Sequence, residues 1–179
     1  MMRSLRALGS FVAPIAILLA ILLGQSLLAT EAFAQTAGVN YRLQLKHGGN
    51  FLDADHCTNT IGLSGRSEWE QGACQLWKFV PAGGGWSRLQ LKHGGQFLDA
   101  DHCTAKIGLN PGSDFDGGAC QLWRPVQVGG GWFKLMFKHN GQFLDADHCG
   151  SPVALNPGSD FEGGACQLWR LVPVGHVID

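Results

Sequence analysis

From Tyr41 the chain alternates, with Leu43 and Leu45 apolar between Arg42, Gln44 and Lys46. The same period of two recurs at Arg88-Leu89-Gln90-Leu91-Lys92 and at Lys134-Leu135-Met136-Phe137-Lys138. It predicts three half-buried strands, because successive side chains of a strand face opposite ways. A His-Gly-Gly or His-Asn-Gly turn follows each, and a second strand is predicted over Phe97 to Asp101 and its equivalents. Third strands are predicted at Ile61 to Leu63, Ile107 to Leu109 and Val153 to Leu155. Asn-Pro-Gly-Ser breaks the chain after two of them, and Ser64-Gly65-Arg66-Ser67 after the first. A fourth strand is expected from Cys120 through Trp123 towards Val126, with its equivalents, ending at glycine runs such as Gly83-Gly84-Gly85.

These elements come in register. KHGGQFLDADHC at Lys92 to Cys103 recurs at Lys46 to Cys57 and Lys138 to Cys149, 46 residues apart each time. GACQLW keeps the same spacing at Gly72 to Trp77, Gly118 to Trp123 and Gly164 to Trp169. Four strands in three repeats make an all-β chain, either barrel or sandwich. The odd number of repeats favours closed three-fold symmetry, since closure leaves no exposed edge strand.

The N-terminus reads differently. Arg3 and Arg6 precede a long apolar run, and Ala32-Phe33-Ala34 places small residues where a signal peptidase cuts. Residues 1–34 are expected to be a signal peptide, 35–40 a short lead, and 41–179 one domain with repeats at 41–86, 87–132 and 133–175. Secretion or a periplasmic location follows, with the membrane met only through the segment before cleavage. An uncleaved anchor is the rival reading, because the apolar run is long. Removing Arg3, Arg6 and Glu31 from 13 basic and 14 acidic side chains leaves 11 and 13, a net of −2. Such a balance argues against nucleic acid or an anionic membrane surface as a partner.

Six cysteines permit fifteen pairings, and the repeat makes Cys57–Cys74, Cys103–Cys120 and Cys149–Cys166 the simplest set. Each would stabilise by roughly 3 kcal/mol through loop closure. The Asp-Ala-Asp-His segments invite a metal reading at His56, His102 and His148. No interval matches a known metal loop, however, and the expectation is no metal and no cofactor.

At this point the residues carry a resemblance. Leu-Lys-His-Gly-Gly-Gln-Phe-Leu-Asp-Ala followed by Gln-Leu-Trp resembles the repeat of the ricin-B-type β-trefoil lectins, over essentially all of Tyr41 to Val174. The resemblance implies a twelve-strand β-trefoil, a six-strand barrel capped by three hairpins, and carbohydrate binding. It also implies that Asp53, Asp99 and Asp145 grip sugar hydroxyls, as a carboxylate can with two charge-assisted bonds. It makes Trp77, Trp123 and Trp169 core, and Gln75, Gln121 and Gln167 structural. Both cysteines of each repeat are relocated relative to the family: Phe51, Phe97 and Phe143 stand where its first cysteine precedes Leu-Asp.

The residues add their own candidates. Asp55, Asp101 and Asp147, two places on, are expected on the same strand face as the first aspartates. Trp69, Phe115 and Phe161 each sit between two acids in a turn-rich loop and could stack on a sugar ring. Repeats 2 and 3 share Asn-Pro-Gly-Ser-Asp-Phe and should behave alike, with repeat 1 different or silent. An enzyme is not expected, since an asymmetric acid–base pair seldom occurs three times in so small a domain. The leading expectation is a glycan-binding protein with up to three sites. The rival is an extracellular protein-interaction module or enzyme inhibitor on the same scaffold.

Overall fold

The computed structural model describes residues 38–112, 114–158 and 160–174, and the predicted signal segment lies outside them. Twelve strands run in chain order. The first repeat holds β1 (Tyr41–Leu45), β2 (Phe51–Ala54), β3 (Ile61–Ser64) and β4 (Trp77–Gly83). The second holds β5 (Trp86–Leu91), β6 (Phe97–Ala100), β7 (Ile107–Asn110) and β8 (Trp123–Gly129). The third holds β9 (Trp132–Phe137), β10 (Phe143–Ala146), β11 (Val153–Asn156) and β12 (Trp169–Pro173).

Antiparallel pairing of β1, β4, β5, β8, β9 and β12 closes a six-strand ring, because β12 returns to β1 with Tyr41 opposite Pro173 and Leu45 opposite Trp169. Closure removes the unpaired edges that an open sheet would expose. The remaining strands form the hairpins β2–β3, β6–β7 and β10–β11, each joined to the ring through its own repeat's first strand. This is the β-trefoil.

The alternation read from the sequence lines the ring: Leu43, Leu89 and Leu135 form one fully buried tier, and Leu45, Leu91 and Phe137 another. Each such side chain contributes about 1.5–3 kcal/mol by leaving water. Trp77, Trp123 and Trp169 are fully buried, and each indole N–H donates to the carbonyl of Leu52, Leu98 or Leu144 at 3.1 Å. A buried indole needs that partner.

Two details depart from the sequence reading. The segments expected to open the fourth strands at Cys74, Cys120 and Cys166 are tight 3-10 turns, Trp69–Gln75, Phe115–Gln121 and Phe161–Gln167, and the strands begin only at the tryptophans. The second strands stop at Ala54, Ala100 and Ala146, where the chain enters further 3-10 turns with the histidines at φ 47, 49 and 47. Left-handed backbone there ends the strand alternation. The disulfides Cys57–Cys74, Cys103–Cys120 and Cys149–Cys166 each tie one kind of turn to the other within a repeat.

Candidate functional site

Each repeat carries its candidate chemistry on these two tied turns and the β2–β3 type hairpin beside them. Because the strands end where they do, the two aspartates of each repeat part company rather than sharing a face. Asp53, Asp99 and Asp145 point inward and are only 7, 5 and 4% exposed. Asp55, Asp101 and Asp147, one residue past the strand, are 66, 54 and 62% exposed.

The inner aspartates meet the buried glutamines. In repeat 1, Asp53 Oδ2 accepts from the Ser64 hydroxyl and from Gln75 Nε2, the latter at 2.7 Å. Gln75 Nε2 also reaches Ser64 Oγ at 2.7 Å and the Gly65 carbonyl at 2.6 Å, while its Oε1 accepts the Ser67 amide at 3.0 Å. Here the network is closed on itself.

Repeats 2 and 3 have Asn110 and Asn156 in place of Ser64. Their Oδ1 atoms accept the Gly112 and Gly158 amides at 3.1 Å, the side-chain turn that Asn-Pro-Gly favours. The carboxamide is therefore committed to its own turn. Asp99 Oδ2, both amide atoms of Gln121, Asp145 Oδ2 and Gln167 Nε2 are left buried without a hydrogen-bond partner. Gln167 keeps one bond, from Lys134 Nζ to its Oε1 at 3.1 Å. Each unmade buried bond costs about 1–3 kcal/mol. Burial raises the pKa of both Asp99 and Asp145, outweighing the neighbouring glutamine amides that pull the other way.

The outer aspartates belong to a second constellation. Asp55 Oδ1 lies 2.7 Å from His56 Nδ1, and the imidazole edge meets the Trp69 ring at a centroid distance of 4.8 Å and 78°. Repeat 2 matches it: Asp101 and His102 at 2.6 Å, His102 and Phe115 at 5.2 Å and 77°. In repeat 3, Asp147 and His148 pair at 2.7 Å. The side chain of Phe161 lies outside the described residues. Trp69 and Phe115 are 53 and 50% exposed. The disulfide, one residue after each histidine, holds acid, imidazole and ring together. Sequence reasoning considered these histidines only as metal ligands; their position between an acid and a tied cysteine was the signal it did not use.

The constellations open onto clefts of unequal size. Repeat 1 has a cleft of about 710 Å³ touched by Asp53, Asp55, His56, Arg66 and Trp69. The corresponding cleft of repeat 2, with Asp99, Asp101, Lys106 and Asn110, is about 130 Å³. The two clefts differ in the loop residues that line them and in the residue that enters from the preceding repeat. Asn59 reaches over from repeat 1, accepts the Leu109 amide and lies against Gly108, where a Cβ would collide with it. In repeat 1 the visitor is the smaller Ser151 of repeat 3, accepting the Leu63 amide at 2.8 Å beside Gly62. The third hairpin has Ala154 where the others have glycine, and its neighbour is Lys106, next to Ala105.

Among the described residues, one group of metal-binding types comes together: Cys103, Asp116 and His139, with ligand atoms within 4.8 Å. The Cys103 sulfur is already bonded to Cys120, which leaves the ion-pair geometry of His139 Nδ1 and Asp116 Oδ2 at 2.6 Å.

With this geometry in view, the comparisons are specific. Residues 31–110 match the ricin-type β-trefoil lectin domain-like family. The designed three-fold symmetric protein ThreeFoil is 29% identical at a TM-score of 0.65, and the match covers 75% of this chain and 99% of that one. Over residues 31–110 the chain is similar to the ricin-type β-trefoil lectins. The same trefoil is seen in SeviL bound to asialo-GM1 saccharide, 15% identical at a TM-score of 0.59, over 75% of this chain and 96% of that one. It is seen also in a GlcNAcα1-4Gal-releasing endo-β-galactosidase from Clostridium perfringens, 14% identical at a TM-score of 0.65, over 76% of this chain but only 33% of the enzyme. ThreeFoil and SeviL, matched over 99% and 96% of their length, are trefoils throughout, whereas in the galactosidase the trefoil is about a third of the chain. No curated protein sequence matches the chain.

Proposed function

We infer that this β-trefoil binds glycans at up to three related sites, one per repeat, without catalysing a reaction. The observation that carries the reading is the pair of buried acid–amide sets, Asp99 with Gln121 and Asp145 with Gln167, in each of which a carboxylate oxygen and an amide nitrogen are left without a close hydrogen bond. Native interiors rarely leave such atoms unpaired. A sugar hydroxyl reaching Asp99 or Asp145 would supply a missing donor, and in repeat 2 half-exposed Phe115, packed on His102, would offer an apolar face to a pyranose.

Repeats 2 and 3 share this arrangement and would share a ligand preference. Repeat 1 differs twice: Ser64 already occupies Asp53, and Trp69 faces a wider cleft. It would take a different or larger saccharide. Export to an oxidising compartment, secreted or periplasmic, accords with three disulfides. Weak sites on one rigid body would then gain avidity on a multivalent glycan.

A glycan array probed with the oxidised chain, followed by calorimetry on the best ligand, tests the reading. Binding that is lost in Asp99→Asn with Asp145→Asn supports it. An array without any binder, together with capture of an extracellular enzyme by the same protein, would replace it with the protein-interaction reading.

A further inference from the structure

The three-fold repeat also exposes a place where one third of a pattern is missing. Trp86 opens β5 and lies against two cations, Arg124 at 4.5 Å and Lys138 at 6.0 Å from the ring centroid. Trp132 opens β9 in the same way, under Arg170 at 5.0 Å and Lys46 at 5.9 Å. Stepping back 46 residues from Trp86 gives Asn40, and the same step carries the two cations to Lys78 and Lys92.

Asn40 is far smaller than an indole, and the space shows it. Asn40, Lys78, Gln90, Lys92 and Gly95 line a cleft of about 200 Å³. In the sister repeats the quadrupole of an indole face attracts both cations. Here no ring separates or screens them. Among the described residues, neither lysine is paired with a carboxylate, and no acid lines the cleft.

We propose that this cleft binds a small oxyanion, a sulfate or phosphate group, between Lys78 and Lys92 with the Asn40 and Gln90 carboxamides beside it. Two ammonium groups give six mobile donors and two positive charges, which suit a tetrahedral oxyanion through charge-assisted bonds. Gln90 is already oriented, because its Nε2 donates to the Gly95 carbonyl at 2.8 Å. The cleft lies on the barrel wall between β1, β4 and β5, apart from the acid–imidazole–ring constellations. The anion could be free or carried as an ester on a glycan, and the chemistry is the same for both.

Amide-resolved NMR titration with sodium sulfate, against sodium chloride at matched ionic strength, tests the assignment. Saturable shifts centred on Asn40, Gln90, Lys92 and Gly95 are expected with sulfate only. Asn40→Trp rebuilds the sister arrangement and should abolish them while far-UV spectra stay unchanged. Lys78→Gln with Lys92→Gln should weaken binding at least about ten-fold, as expected when charge-assisted bonds are lost. Asp99→Asn with Asp145→Asn should leave the response intact, which separates this cleft from the glycan sites. A sulfated disaccharide binding more tightly than inorganic sulfate would assign the anion to a glycan, and equal affinity would assign it to the free ion. Shifts that persist in Asn40→Trp, or that spread evenly over all lysines, would overturn the proposal. So would saturable binding of free indole at this cleft without any response to sulfate.

Discussion

Asn59 of the first repeat accepts the backbone amide of Leu109 in the second, across a separation of 50 residues. Asn59 thereby forms part of the wall of the cleft beside Asp99. The equivalent visitor at Leu63 is Ser151, from 88 residues away, and the cleft there is several times larger. The clefts of repeats 1 and 2 are thus each bounded by a residue of a neighbouring repeat.

Replacing Asn59 with alanine should therefore do two things. The Leu109 amide loses its acceptor, which costs about 1–3 kcal/mol. The repeat 2 cleft widens towards that of repeat 1, and larger saccharides should gain affinity for it. Asn59→Ser, which copies Ser151, should recover much of the stability while keeping the wider cleft. Urea denaturation and calorimetry with mono- and oligosaccharides measure both; unchanged stability in Asn59→Ala would refute the contact's role.

The buried acids make a pH prediction. Asp99 and Asp145 have folded-state pKa values raised above the ordinary 3.8 by burial. The folded state therefore holds these protons more tightly than the unfolded chain. Their favourable contribution is fully present below the ordinary value and is lost as pH rises through the folded value. At neutral pH, Asp99→Asn with Asp145→Asn should be as stable as the parent or more so, and the difference should shrink as the pH falls. Glycan affinity should move the other way and drop about ten- to a hundred-fold, from the loss of roughly 1.5–3 kcal/mol per charge-assisted bond. Melts across the acidic range, paired with calorimetry, give both signs. A variant clearly less stable at neutral pH would mean the carboxylates brace the fold.

Phe115 is half exposed, so Phe115→Ala should cost far less than the roughly 3–5 kcal/mol of a buried phenylalanine. Its effect should appear in glycan binding instead. Trp69→Ala should act likewise on whatever repeat 1 binds. A large loss of melting temperature with unchanged binding would make the rings structural covers.

Peptide mapping without reduction should recover the three pairs within repeats and no other. Replacing Cys103 and Cys120 by alanine should cost about 2–5 kcal/mol. It should also release His102 from Phe115, so that affinity at repeat 2 falls even where the protein remains folded. Affinity unchanged at a temperature where the variant is native would separate the staple from the site.

The 46-residue period, the Leu-x-Leu strands, the Gln-Leu-Trp blocks and the cysteine pairs were all readable from the chain. They are local or periodic, and a pattern repeated three times reports its own geometry. They carry the all-β class and the three-fold closure, while the trefoil and its core tryptophans were what the resemblance to the ricin-B-type repeat implied. Asp53 and Asp55 could not be told apart in that way, because they part only where Ala54 ends the strand and His56 turns left-handed. The sequence reading set repeat 1 apart on its own loop and did not reach the residues that reshape the clefts. Ser64 against Asn110 decides whether the buried acid is satisfied, but its consequence depends on Gln75 or Gln121 arriving from another turn. Asn59 and Ser151 act on a different repeat from their own, and Lys78 and Lys92 line one cleft only because β4 and β5 pair, with Lys78 opposite Gln90, on the wall of a closed ring. Those relationships are packing between segments distant in the chain, which no periodicity encodes.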